Sequence, residues 1–250
     1  MTKFVLIGGG ENGRPGTKYE TGRIDREIVD LVPINSEKNF LFLAHGNGYE
    51  NEYYDVIRGI FENLGCKCDI LYKSDLKDLS GSKRKLDWAD IVYIGGGNTL
   101  KMMNAWRRYG FDKVLIDAKN SDKIFCGISA GAIAFCKYGV SDSRKTLKYD
   151  KYIKVRGLDF FNILFCPHFD EKNDYIENID EIIKSVKVPM IALEKGTALV
   201  IDNCEVRIIK SIDDKKVYKI SHESFGKSVM ELTAENVYMI NDEGEGLWMR

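Results

Sequence analysis

Short apolar runs, most followed by glycine or a polar turn, alternate with amphipathic stretches from the start of the chain to about residue 201. That rhythm predicts parallel strands joined by helical crossovers: an α/β fold whose mostly parallel sheet is flanked by helices on both faces. The predicted strands span residues 3–7, 40–44, 67–71, 91–94, 124–127, 163–166, 190–192 and 198–201. Between them, Ile24, Ile28 and Leu31 mark one face of a helix, and Val56, Ile57, Ile60 and Leu64 mark a second. A third helix, over residues 99–109, starts after Asn98, whose side chain is suited to capping it. Beyond residue 201 the segments 205–209 and 216–220, on either side of Asp213-Asp214, predict a C-terminal β-hairpin that extends the edge of the same domain. With only 4 Pro and no repeat or low-complexity tract, residues 1–250 read as a single domain.

Several predicted strands end in glycine-rich turns, and their chemistry differs. Gly8-Gly9-Gly10-Glu11-Asn12-Gly13 matches G-x-G-x-x-G. In a dinucleotide site the third glycine already lies in a helix facing the pyrophosphate. Here Arg14-Pro15-Gly16 follows, the helix waits until about Ile24, and the second strand runs into His45-Gly46-Asn47 rather than a ribose-binding acid. A nicotinamide or flavin site is therefore not expected. Gly95-Gly96-Gly97-Asn98-Thr99 stands between a strand and a helix, where bare N–H groups and the helix start suit an oxyanion or carboxylate. A turn of purely geometric purpose is the alternative. The third run, Cys126-Gly127-Ile128-Ser129-Ala130-Gly131-Ala132, closes a buried strand with G-x-S-x-G and opens a helix with small residues. This is the nucleophile-elbow pattern, in which a sharp turn makes the seryl Oγ protrude and aims the next amide, that of Ala130, at an acyl oxyanion.

A serine hydroxyl needs a base, and the chain has 3 His. His168 follows the strand 163–166 and Pro167, so it stands at a strand's carboxyl end like Ser129. His45 also ends a strand, and His222 lies in the late hairpin region. Strand polarity and the stiffening by Pro167 favour His168. The acidic partner that would fix the imidazole tautomer is Glu194, at the end of strand 190–192 and its following residue, or Asp142, in Ser141-Asp142-Ser143. Strand-end placement favours Glu194.

Charge and composition narrow the partners. Lys plus Arg total 37 against 38 Asp plus Glu, with no basic block, so nucleic acid is not an expected partner. The longest apolar runs, such as 4–7 and 40–44, are strand-sized, which argues against a membrane span. Met1-Thr2-Lys3 leads straight into the first strand without a signal-peptide pattern. The 6 Cys do not form a disulfide framework, and Cys126, Cys136 and Cys166 sit inside apolar segments as reduced core thiols. Cys66 and Cys68 lack a second pair at zinc-ribbon spacing, so no metal is expected there. A cytoplasmic location follows.

Taken in order, Gly95-Gly96-Gly97-Asn98-Thr99, Gly127-Ile128-Ser129-Ala130-Gly131-Ala132, Cys166-Pro167-His168-Phe169-Asp170 and Glu194-Lys195-Gly196-Thr197-Ala198-Leu199 resemble the S51 serine peptidases. That family includes dipeptidase E, the α-aspartyl dipeptidase, and cyanophycinase. The resemblance runs through nearly the whole chain, from Ile7-Gly8-Gly9-Gly10-Glu11 onward. It implies a fold like that of class I glutamine amidotransferases, with Ser129 in place of their cysteine. It also implies Ser129 as nucleophile, His168 as base, Glu194 or Asp142 as the acid, and an oxyanion-binding group drawn from Gly96, Gly97, Asn98 and Ala130. One departure matters: aspartyl dipeptidases carry an arginine beyond the histidine motif, but residues 171–177 contain none, and Lys172 lacks a bidentate fork. Asp-X specificity is therefore not expected. The acids around it, Asp170, Glu171, Asp174, Glu177, Asp180 and Glu181, read as a solvated helix face or as a site attracting an amino group.

The expectation is a serine peptidase acting on short peptides, dipeptides near a free N-terminus, with no metal or organic cofactor, as a monomer or homodimer. An esterase of the α/β-hydrolase type, with His222 as its late base, is the second reading. A non-catalytic small-molecule binding protein on the same scaffold is the third.

Overall fold

The structure, a computed structural model, describes residues 2–34, 36–144, 151–170, 175–223, 226–241 and 248–249. The first half alternates strands and helices: β1 (Lys3–Ile7), α1 (Gly22–Asp30), β2 (Asn39–Leu43), α2 (Glu50–Asn63), β3 (Lys67–Leu71), α3 (Leu79–Trp88), β4 (Ile91–Ile94), α4 (Thr99–Tyr109), α5 (Phe111–Asp117), β5 (Ile124–Ile128) and α6 (Ala130–Phe135). Next come β6 (Cys136–Ser141), β7 (Ile153–Arg156), β8 (Phe161–Cys166), α7 (Tyr175–Lys184) and β9 (Met190–Leu193). The chain ends in β10 (Thr197–Asp202), β11 (Glu205–Lys210), β12 (Val217–Glu223), β13 (Gly226–Leu232), β14 (Tyr238–Met239) and β15 (Trp248–Met249).

The α/β architecture is present, organised as two sheets. In the larger, β3, β2, β4, β5 and β1 are parallel, and β10, β11, β14 and β15 continue it antiparallel beyond β1. The smaller runs β13-β12-β9-β8-β6-β7, with β6, β8 and β9 mutually parallel. The predicted strands at 163–166 and 190–192 thus belong to a second sheet rather than to the first. The segments 205–209 and 216–220 are strands but do not pair with each other. β11 takes a six-residue register along β10, while β12 pairs with β9 and β13, so the C-terminal hairpin is β12–β13. The reason is burial: Val206 and Ile208 cover the end of the large sheet, whereas Ile220 joins Leu164, Met190 and Ala192 on the small one.

Strand alternation feeds distinct core layers. Val5, Ile7, Phe40 and Phe42 face α1 and α2, through Ile24, Ile28, Ile57 and Phe61. Phe4, Leu6, Leu41 and Leu43 face the opposite layer, where α4, α5 and α6 pack together with Ile163 and Phe165 of β8. On the far side of the small sheet, Leu164 and Cys166 meet Ile179, Ile182 and Ile183 of α7. The small sheet is therefore welded to the large one through α6, and this joins β8 to the rim that β5 supplies.

That weld needs glycine. A Cβ on Gly131 would run into the Ile94 carbonyl oxygen, and one on Gly127 into the Gly131 carbonyl. Both glycines let α6 lie directly on the backbone of β4 and β5. Gly131→Val is expected to cost several kcal/mol, enough to abolish a cooperative transition, because the clash is with backbone that has no rotamer to yield. Thermal unfolding followed by circular dichroism checks this; a melting temperature equal to that of the parent protein would contradict it.

Candidate active site

The parallel strands all end at one rim, and their following turns build the floor of a cavity of about 380 Å³. β5 contributes Ser129. Its amide donates to the Ile7 carbonyl at 3.0 Å, continuing the β1–β5 ladder, and its carbonyl accepts from Ile133 at 3.0 Å, starting α6. Caught between ladder and helix, Ser129 adopts φ 54° and ψ −109°, a conformation that is costly for any residue with a Cβ. The elbow expected from G-x-S-x-G is thus present in the backbone, and the seryl side chain lines the cavity.

His168 arrives from the other sheet, at the end of β8, also with φ 54°. Its amide donates to the Gly8 carbonyl at 2.9 Å, and the Phe169 amide donates to Leu193 at 3.0 Å, so the turn is tied to both β1 and β9. Its Nε2 lies 2.9 Å from Ser129 Oγ. Gly9, at φ 146°, packs its bare Cα against the imidazole: a Cβ there would stand 2.6 Å from His168 Nδ1. The first glycine run, whose G-x-G-x-x-G spacing mimics a dinucleotide pattern, is the wall that sets the histidine ring.

The other candidates divide. His45 is buried, with Nδ1 accepting from the Trp106 indole at 2.8 Å and Nε2 donating to Leu71 at 2.9 Å. Since indole can only donate, the tautomer is settled, and burial lowers the pKa of this ring to about 4. It is a core histidine. His222 lies on β12 in the small sheet, and its side chain falls outside the described ones. Glu194 turns its Oε2 to the Lys216 amide at 3.0 Å, while Asp142 is exposed on the loop after β6. Asn98 caps α4, its Oδ1 accepting from Lys101 at 2.9 Å and its Nδ2 donating to the Ser143 carbonyl at 2.8 Å. Both ends of that side chain are engaged, and Asn98 is not among the residues lining the cavity. Gly96 and Gly97 line the cavity, and the Ala130 amide, first of α6, has no intrahelical acceptor.

The acidic run after the histidine behaves as structure where it is described. Asp170 pairs with Lys215 at 2.6 Å and accepts from the Lys195 amide at 3.1 Å, and Asp180 pairs with Lys227 at 2.7 Å. Glu171, Lys172 and Asp174 lie outside the described residues, as does the Glu177 side chain. Sequence reasoning missed Glu11 and Arg14, in the turn after β1, and Glu52 and Tyr53, on the first turn of α2, which line the cavity. The signal was available, since the turn after β1 and the start of the helix that follows β2 both lie at the strand-end rim that carries Ser129.

The sequence model of peptidase family S51 matches residues 4–209. The chain belongs to peptidase family S51. Membership makes it a peptidase. Among curated proteins it is similar to the uncharacterized peptidase YgaJ of Bacillus subtilis, 27% identical over 228 residues that cover 88% of this chain and 92% of that one. It is also similar to the uncharacterized peptidase PM1590 of Pasteurella multocida, 24% identical over 193 residues, 73% of this chain and 90% of that one. Among solved structures, a peptidase from an acI-B1 Actinobacterium superposes with TM-score 0.74 at 17% identity, covering 96% of this chain and 97% of the other. A putative peptidase E protein from Listeria monocytogenes superposes with TM-score 0.63 at 19% identity, covering 84% and 98%. This chain shares the fold of these two structures.

In this S51 peptidase the cavity wall from Gly8 to Thr21 is anchored by a buried polar chain. Asn12 Nδ2 donates to Thr21 Oγ1 at 3.4 Å, and the Thr21 and Tyr19 hydroxyls donate to Asp25 Oδ2 at 2.7 and 2.9 Å. Asp25 is buried on α1, and its Oδ1 has no donor among the described residues. Burial therefore pushes its pKa up from 3.8 to about 6, against the pull of the two hydroxyls. Because the folded value exceeds the unfolded one, the protonated form stabilises the fold fully below about pH 4, and this contribution disappears as pH rises through about 6. Asp25→Asn mimics the protonated acid. The variant is expected to exceed the parent in stability by about 1–3 kcal/mol at about pH 8 and to match it near pH 4. Urea unfolding at both values checks this, and a constant difference across the range would refute it.

Proposed function

We propose that this S51 peptidase uses serine chemistry to hydrolyse short peptides, dipeptides foremost, near a free N-terminus. The carrying observation is the 2.9 Å approach of His168 Nε2 to Ser129 Oγ on a strained elbow that opens into the cavity. Ser129 Oγ attacks the scissile carbonyl as His168 takes its proton. The tetrahedral oxyanion is held by the Gly97 and Ala130 amides, and His168 then protonates the leaving amine. Water enters, gives its proton to His168, and attacks the acyl-enzyme, which releases the acid and restores the serine. Glu194 is the third member in this reading. Its strand end is bonded to the histidine turn through Phe169 and Leu193, which supports Glu194 over Asp142, although its Oε2 accepts from the Lys216 amide.

The lining supports a small zwitterionic substrate. A cavity of about 380 Å³ is at the lower end of the range for small-molecule sites, and it carries both signs of charge. Glu52 at the mouth suits an α-ammonium group, and the planar fork of Arg14, paired with Glu11 at 2.7 Å, suits a carboxylate. Arg14 therefore supplies, from the first turn, the guanidinium that residues 171–177 lack.

Ser129→Ala is expected to end turnover and labelling by a fluorophosphonate while leaving the melting temperature unchanged. His168→Ala and Glu194→Gln should each lower kcat, by about 10³-fold or more for the histidine. His222→Ala and Asp142→Asn should not. Loss of activity on His222→Ala alone would instead indicate an esterase-like arrangement. In a library of dipeptides, acetylating the α-amine is expected to cut kcat/KM at least about tenfold, the worth of one charged contact. Equal cleavage of free and blocked peptides would overturn the amine requirement.

A further inference from the structure

Tyr53, on the first turns of α2, is a half-buried titratable group at this cavity that the acyl-transfer scheme above leaves idle. Its ring stands edge-on to Phe42 at 4.9 Å between centroids, and it is wedged beneath the glycine turn after β4: a Cβ on Gly95 would lie 2.9 Å from both rings. The phenol oxygen accepts the Gly96 N–H at 3.3 Å. The Gly96 amide is thus already engaged by the phenol, although the glycine itself borders the nucleophile. A point one bond out from its Cα is 3.8 Å from Ser129 Cβ and 3.9 Å from the Tyr53 hydroxyl.

A hydroxyl that accepts one hydrogen bond still has a proton to give. No acceptor among the described residues takes it, and Tyr53 lines the same cavity as Ser129 and His168. We propose that the Tyr53 hydroxyl is a catalytic hydrogen-bond donor to the tetrahedral oxyanion, acting beside the Gly97 and Ala130 amides as a relay that replaces the occupied Gly96 amide. The Gly96 N–H polarises the phenol from behind, which strengthens its outward bond. Burial raises the phenol to about 12, so it remains protonated throughout the working range of a histidine base. The proton is shared with the oxyanion and not transferred; the covalent steps remain those of Ser129 and His168.

This role rests on the serine acyl-transfer reading, and Tyr53→Phe tests it separately. The ring and its Phe42 contact stay, and only the oxygen goes. With p-nitrophenyl acetate, and with any dipeptide the wild type cleaves, kcat is expected to fall about 100-fold, with KM changing less than about threefold. The second-order rate of fluorophosphonate labelling should fall in parallel, because the phosphonyl oxygen occupies the same position. A phenylalanine variant that keeps wild-type kcat and labelling rate, or that raises KM by the whole factor lost, overturns the proposal. As a check that does not depend on the variant's folding, 3-fluorotyrosine placed at position 53 should shift its fluorine resonance when Ser129 is phosphonylated, and an unmoved resonance also overturns it. If the wild type neither labels nor turns over, the acyl-transfer reading fails first; if it does both and Tyr53→Phe is unaffected, only the tyrosine's role fails.

Discussion

The contact on which this molecule turns is the seam between Gly8-Gly9 and His168. Ser129 hangs from the large sheet and His168 from the small one, so their 2.9 Å approach depends on how the sheets meet. The His168 amide is bonded to Gly8, Gly196 is bonded to Gly9, and the absent Cβ of Gly9 admits the imidazole face. Any side chain on that wall would swing the ring away by more than a hydrogen bond tolerates.

Backbone strain recurs on both sides of that seam. Ser129 and His168 each sit at φ 54°, a region that side chains with a Cβ rarely occupy. Neither could hold it alone. Ser129 is clamped by the ladder before it and the helix after it, while α6 is pressed onto β4 and β5 because Gly127 and Gly131 remove every intervening atom. The local cost, of order 1–3 kcal/mol for each such residue, is offset by the packing of the α6 layer, where Phe4, Phe125, Phe135 and Phe160 stack edge and face.

Burial also separates histidines that look alike in the chain. His45 and His168 both follow strand ends, yet the first is sealed between Trp106 and the Leu71 carbonyl, with its proton and lone pair both committed. The second is half-buried at a cavity wall with Nε2 on a hydroxyl. The same contrast distinguishes the acids. Asp25 and Asp170 are consumed by internal hydroxyls and by Lys215, leaving Glu11 and Glu52 as carboxylates in the cavity lining.

Local chemistry made much of this legible in advance. The α/β rhythm, the α4 boundaries with their Asn98 cap, the strand-elbow-helix at Ser129 and the preference for His168 all depend on residues near one another in sequence, and periodicity and turn sterics report them directly. The order of four short motifs identified the family for the same reason. What only the tertiary structure decided is pairing at long range. Adjacent β-rich segments β11 and β12 went to different sheets because each found a longer partner elsewhere. The Gly8-Gly13 turn became the wall of the cavity because β10 docks beside β1 and brings Gly196 against it. Tyr53 gained a place at the nucleophile only because α2 lies under the Gly95-Gly96 turn. Sequence spacing encodes which way a strand points, but contacts between separate strands and helices are fixed by the global packing of apolar faces, which no local pattern contains.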